Sequence, residues 1–421
     1  MRDMGVEGDM TTSSAGTEEA ISYIRSAKAI RERCGQILSL AEKGALVHFA
    51  LHEERLPSLV SAVQEELQAN YPDGRVPFHS RWRHFGVGGV DREAILNSRL
   101  AALPALERAR AKLELAFVSV LLDAGAGDTW TFRDGDCRRS FGRSEGLAVA
   151  SLEAFTQGAF GSQPYTVTAD ALCGMSPEKA ARIFQVTENN PLAGLEGRVA
   201  LLNQLGEVIG KRAEVFAGSP GRLGGMLESV ASLTDRNGTV HADQLLRLLL
   251  DTFSPIWPGR ISIGGQTLGD VWSHSLVAGK GETDKLVPFH KLSQWLAYSL
   301  LEPLEQGGVS VGYLDELTGL PEYRNGGLLI DSGVLAVKEP AALTERHSPA
   351  SELIVEWRAL TVSLLDRIAD GLRQRLDLTA EELPLAKVLQ GGTWSLGRKF
   401  AAERRAHAAP PIAIVSDGTV F

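Results

Sequence analysis

The sequence predicts a mainly α-helical fold with a few short strands. Three observations carry this: apolar residues recur at helical spacing along most of the chain, strand-like runs are few and brief, and no linker or internal repeat breaks the pattern. After Thr17, the positions Ile21, Ile24, Ala27, Ile30, Cys34, Ile37 and Leu38 form one stripe that Gly44 ends. Similar stripes cover Val60–Leu67, Arg92–Ala124, Gly146–Ala159, Pro191–Phe216, Ala242–Phe253, Lys285–Glu305 and Ser348–Leu376. In the last, Ser348 reads as the cap and Pro349 as the first helical residue, where a missing N–H costs nothing. Its run from Leu353 to Leu372 is apolar on nearly every side, which predicts a central position. Strands are expected at Asp128–Arg133, Val309–Tyr313, Leu328–Val337 and Ile412–Val415, and loops at Tyr71–Pro77, Gly86–Gly89, Ser254–Gly265 and Asn325–Gly327. Residues 1–16 are polar and read as a disordered leader, leaving 17–421 as one compact α-rich domain.

Composition narrows the partners. The chain has 421 residues, 44% hydrophobic and 23% charged, and its 43 Lys and Arg against 52 Asp and Glu give a net charge of -9. That balance offers no electrostatic footprint for a polynucleotide or an anionic membrane, while a small anionic ligand needs only a local basic pocket. The cysteines Cys34, Cys137 and Cys173 are widely spaced and odd in number, which fits a reducing compartment. With no export signal and no apolar run near the ~18 residues of a spanning helix, the expected location is the cytoplasm.

Candidate chemistry concentrates in two segments. Lys291, Gln294, Trp295 and Tyr298 fall at i, i+3, i+4 and i+7, one helix stripe in which a cation beside aromatic rings can floor a pocket for a phosphorylated sugar. A lysine reaching to solvent over core aromatics fits the same spacing. Between Asp315 and Gly327 lie Asp315, Glu316, Glu322, Tyr323 and Arg324, a density of acids that suits proton transfer and equally suits a solvated ion pair. The stretch Asp315–Gly319 is too short for the phosphate loop of a phosphoribosyltransferase. Gln390–Arg398 reads as paired glycines before a capping Thr393, able to hold an anion or simply to turn. His84–Arg92 is Gly-rich without the strand and helix of a dinucleotide site. His48 and His52 would share a helix face but lack metal-ligand order, so no metal is expected.

Seven ordered blocks, RHFGVGGVDR, RSEGLAVAS, RIFQVTENNPLAGLEGRVALL, PFHKLSQWLAYSLLEPL, PEYRNGGLLIDSGV, SELIVEWRALTV and GGTWSLGR, together resemble the uracil-catabolism family named for the fungal URC/urg genes, over nearly the whole chain. That resemblance implies a place in a uracil route whose intermediates include ribosylurea. The order of blocks is also similar to the queuosine 5'-phosphate N-glycosidase salvage proteins, whose helical architecture is DNA-glycosylase-like. VPFHKLSQWL and LTGLPEYRNGG stand where those proteins read approximately FYKRAQI and LTxFADYRVPQ, which implies functional roles for Lys291, Gln294, Tyr323 and Arg324. Arg198 matches the arginine of a third block. Glu322 replaces an aspartate, and Gly326 and Gly327 stand for Pro and Gln, leaving the base-recognition pocket open.

The resemblance implies hydrolysis of an N-glycosidic bond, giving urea and ribose or its phosphate. Such cleavage needs a carboxylate near C1 and a proton donor at the leaving nitrogen. The expected roles are Glu322 at the cationic sugar or the attacking water, Asp315 or Glu316 in proton transfer, Lys291, Arg324 and Arg198 at the 5'-phosphate, and Trp295 or Tyr298 against the sugar or the ureido plane. No cofactor is required. The alternatives are a non-catalytic nucleotide- or partner-binding protein and a uracil phosphoribosyltransferase.

Overall fold

The computed structural model describes residues 8–127, 129–258 and 260–415, with side chains from residue 15 onward. The protein is mainly α. A long helix, Glu352–Leu376, runs through the centre, with Leu353, Ile354, Val355, Trp357, Leu360 and Leu364 all buried. Packed on it are the Ala27–Glu42 and Leu56–Asn70 helices, while the Lys291–Gln306 helix packs on Ala105–Leu121. One continuous cluster of buried side chains extends from Ala27 to Ile412. The twelve short strands among the described residues form two-stranded ladders. Two of these join distant segments: Phe49–Leu51 pairs antiparallel with Leu335–Val337, and Arg346–His347 pairs parallel with Ala413–Ile414. No helix among the described residues is long and apolar enough to cross a membrane.

Helix boundaries depart from the sequence pattern where a polar cap or proline intervenes. The stripe after Thr17 is two helices, Gly8–Ile24 and Ala27–Glu42, because the Ser26 hydroxyl accepts from Ala29 N at 3.1 Å and starts a new helix. The first begins at Gly8, inside the expected leader, whose residues 1–7 lie outside the described residues. Arg92–Ala124 divides into Arg92–Leu100 and Ala105–Leu121, with Pro104 at the break. The central helix starts after Ser351, not Ser348: Ser348 to Ser351 is a turn closed by the Ser351 hydroxyl on Ser348 O at 2.9 Å, and Pro349 stays outside the helix. His48 and His52 flank the strand Phe49–Leu51 and share no helix face. Asp128, expected to open a strand, lies outside the described residues; the ladder there is Thr131–Arg133 with Ser140–Gly142.

The largest revision falls on residues 323–331. The expected loop at Asn325–Gly327 and the start of the strand expected at Leu328 are one helix, Tyr323–Asp331, capped by the carboxylate of Glu322. Gly326 serves close packing here, since a Cβ would sit 2.8 Å from the Trp357 ring, whose Nε1–H donates to Gly326 O at 3.0 Å. Replacing Gly326 with Ala is therefore expected to destabilise the protein by about 1–3 kcal/mol through overpacking, read as a lower denaturant midpoint with unchanged slope.

Candidate functional site

A cavity of about 480 Å³ opens where distant parts of the chain converge, among them the N-terminal turn of the Lys291–Gln306 helix, the loop Asp123–Gly127, the capped start of the Tyr323–Asp331 helix, Trp394 with Arg398, and the stretch His407–Ile414. The size is that of a small-molecule site. The Arg346–Ala413 ladder brings the last of these parts over the hollow.

Lys291 is seated by a buried polar network. Its backbone N–H donates to Asp270 at 3.0 Å, and Asp270 takes a two-pronged pair from Arg358 of the central helix at 2.8 and 2.7 Å and a bond from Trp272 Nε1 at 2.7 Å. Burial alone would raise the Asp270 pKa, but the Arg358 guanidinium outweighs it and holds the carboxyl well below the usual range. The residue before the helix, His290, adopts a left-handed conformation with φ 46° and meets Ile24 O through Nε2 at 2.9 Å. The helix start is thus held by the Asp270 carboxylate and the Ile24 carbonyl.

Glu322 accepts from Arg324 N at 2.7 Å and Asn325 N at 2.6 Å, one bond to each carboxylate oxygen. Lys291 and Glu322 both border the cavity and are half-buried. Burial raises the Glu322 pKa above 4.5 although Lys291 and the two amides oppose it, and burial lowers that of Lys291 below 10.5 although Glu322, its strongest charged neighbour, opposes it. Desolvation wins at both groups.

The remaining expected residues divide. Trp295, Tyr323 and Arg324 line the cavity; Arg324 lies over the Tyr323 ring at 4.8 Å and donates to Ala408 O at 2.6 Å. Gln294 and Tyr298 occupy the other side of the stripe and face Thr318: the Gln294 amide spans Thr318 N at 2.8 Å and Oγ1 at 2.6 Å, and Tyr298 donates to Thr318 O at 3.0 Å. They tie down the segment leading to Glu322. Arg198 is buried and donates to the carbonyls of Leu122, Ala124, Gly125 and Ala193, so it shapes the cavity loop without lining the cavity. Asp315 and Glu316 are not among the lining residues. Glu316 instead meets His241 Nδ1 at 3.2 Å and Asp243 N at 3.3 Å. The short turn Leu314–Glu316 offers no phosphate loop.

Other groups stand in the cavity wall without having been singled out. Asp123 pairs with the buried Arg81 at 2.7 Å and accepts from the Ser144 hydroxyl at 2.6 Å. Arg143, Arg346 and Arg398 add cations, Arg398 pairing with Glu145 at 2.9 Å. His79, His84 and Trp394 join Trp295 as rings. The paired glycines before Trp394 do not precede a capped helix start: Leu385–Val388, the π-turn Leu389–Thr393 and Trp394–Arg404 run on without a break, leaving no free amides for an anion. A signal for most of these existed. His84, Arg143, Trp394 and Arg398 each lie inside a resemblance block, whereas Asp123 has no local mark.

Fold and site together define a helical protein built around a mixed-charge, ring-walled cavity sized for a small ligand. The chain belongs to the family described as "Protein of unknown function (DUF1688)", whose model matches residues 23–421. It is 41% identical over 414 residues to Protein urg3 of Schizosaccharomyces pombe (strain 972 / ATCC 24843), covering 96% of this chain and 99% of that protein. It is 37% identical over 442 residues to Uracil catabolism protein 4 of Lachancea kluyveri, again covering 96% and 99%.

Proposed function

We propose that the protein acts in uracil catabolism as an N-glycoside hydrolase, cleaving ribosylurea or its 5'-phosphate to urea and ribose or ribose phosphate. The observation that carries this reading is the pair Glu322 and Lys291, a carboxylate and an ammonium bordering one cavity, each desolvated and each held by its backbone surroundings. The name of one relative supports the pathway. In the reaction, the C1–N bond breaks with its electron pair passing to nitrogen, and water oxygen bonds to C1. Glu322 stabilises the cationic sugar and accepts the water proton; Lys291 gives a proton to the departing nitrogen. Lys291 takes this role in place of Asp315 and Glu316, which lie outside the cavity. Arg143, Arg324 and Arg398 are the cations for a 5'-phosphate. The direct test incubates the wild-type protein with ribosylurea, ribosylurea 5'-phosphate, uridine and UMP while urea, uracil and sugar products are followed. Release of neither base from any of them defeats the reading.

The pH dependence follows from the two shifts. Activity requires Glu322 ionised, so it falls as pH drops through a pKa raised above 4.5; it requires Lys291 protonated, so it falls as pH rises through a pKa lowered below 10.5. A bell narrower than two free groups would produce is expected in kcat/KM. A flat profile across both limbs counts against these assignments.

A second reading, ligand binding without turnover, is favoured by one observation: the two amide bonds of Glu322 already give it a helix-capping role. Saturable stabilisation by ribose 5-phosphate or UMP with no product from any glycoside would select it.

A further inference from the structure

We propose that the ring-walled part of the cavity is a recognition subsite for a planar amide group, the ureido end of ribosylurea or the amide edge of a pyrimidine, read by Trp295 and His84. This rests on the glycosidase reading for the identity of the substrate and deepens it by assigning residues to the leaving group. Four rings meet here. His79 lies 4.7 Å from Trp295 and 5.5 Å from Trp394, centroid to centroid, and His84 lies 5.8 and 5.7 Å from the same two indoles. Each imidazole is thus bracketed by both tryptophans, and all four rings line the cavity.

Two nitrogens of this box are unsatisfied. Trp295 Nε1 and His84 Nδ1 are enclosed and have no hydrogen-bond partner among the described residues, on side chains of residues 5% and 6% exposed. Nine in ten or more buried polar groups are bonded, and each orphan costs roughly 1–3 kcal/mol. Two neighbouring orphans, on side chains that line one cavity, are a cost that a ligand can recover. Their chemistry is complementary. An indole N–H only donates, and a neutral imidazole keeps one nitrogen free to accept. His84 stays neutral because burial, with the nearby charge of Arg81, pushes its pKa well below the usual value. A ureido group presents the matching pair in one plane, a carbonyl for the indole and an N–H for the imidazole.

The fourth ring and the other histidine are placed by the same turn. His79 Nδ1 lies 3.0 Å from Gln390 Oε1, within the π-turn Leu389–Thr393, so that nitrogen carries the proton and donates. The turn ends at Trp394, over whose ring the Arg398 guanidinium lies at 4.9 Å. There the rings give way to cations. A phosphate fits the cations but offers no N–H for His84, and a sugar hydroxyl does not present a carbonyl and an N–H in one plane. Both orphan nitrogens are enclosed by neighbouring side chains, so engaging them requires the rings to move apart.

The test uses the carbocyclic analogue of ribosylurea 5'-phosphate, in which a methylene replaces the ring oxygen and the C–N bond is inert, beside ribose 5-phosphate. Dissociation constants for both are measured by calorimetry on wild type, Trp295→Phe, which keeps a ring and removes the N–H, and His84→Phe. Each substitution is expected to weaken the analogue about tenfold while ribose 5-phosphate stays within about twofold. An unchanged ratio between the two ligands, or no analogue binding by wild type, overturns the proposal. Should one variant fail to fold, the other decides by the same ratio. Wild type that binds the analogue yet cleaves no glycoside leaves the subsite standing and removes the hydrolase; cleavage with an unchanged ratio does the reverse.

Discussion

Replacing Glu322 with Gln is expected to lower kcat for glycoside cleavage by roughly 10²–10⁴-fold, the usual contribution of a positioned acid–base group. The change is nearly isosteric. One oxygen survives to accept from Arg324 N or Asn325 N, now 2.7 and 2.6 Å from the carboxylate, so the cap is weakened and not erased. The loss in stability should stay near the ~1 kcal/mol typical of a cap. Affinity for ribose 5-phosphate, which depends on the cations, should change little. Rate falls and the fold persists, and that combination separates chemistry from structure. Urea or uracil release by Glu322→Gln at the wild-type rate would show that the carboxylate only caps the helix.

Asp270→Ala should be the most destabilising single substitution near the site, by about 3–5 kcal/mol, because it removes the carboxylate paired with a buried guanidinium. Arg358 is 1% exposed and makes both prongs of its pair to Asp270. The same substitution removes the acceptor for Lys291 N and so loosens the first turn of its helix. The comparison that isolates the cause is Asp270→Leu combined with Arg358→Met: deleting both charges should recover much of the loss, as buried pairs exchanged for apolar residues commonly do. Denaturant midpoints measure both variants. The pH dependence has a definite sign. The folded pKa of Asp270 lies below 3.8, so its stabilisation is complete above that value and is lost as pH falls through the depressed one. A double variant no more stable than Asp270→Ala would mean that packing, not charge, dominates.

Much of this architecture was legible from periodicity, and the misreadings share a cause. Helices built on long apolar stripes were found because burial imposes a period that local residues cannot hide. Residues 323–331 were misread because their glycines look like loop formers, while the reason for Gly326 is a tryptophan on another helix, 31 residues away in sequence. The stripe at Lys291 was read correctly as one face, but a face is wide enough to serve two neighbours; Lys291 and Trp295 turn to the cavity, Gln294 and Tyr298 to Thr318. The acids of 315–316 were attractive by density alone. What put a second carboxylate in the cavity was Asp123, held by Arg81 and Ser144 from distant segments, and no local pattern marks such a residue. Arg198, expected at the phosphate, instead holds the cavity loop by bonds to carbonyls that are invisible in a linear string.

The roof of the cavity consists of residues 407–414, anchored by the parallel pairing of Arg346 with Ala413. During synthesis every other part of the wall emerges from the ribosome first, so a nascent chain short of those residues lacks one side of the cavity. An affinity label spliced between 404 and 414 is therefore expected to disturb the cavity more than one inserted at an early surface turn.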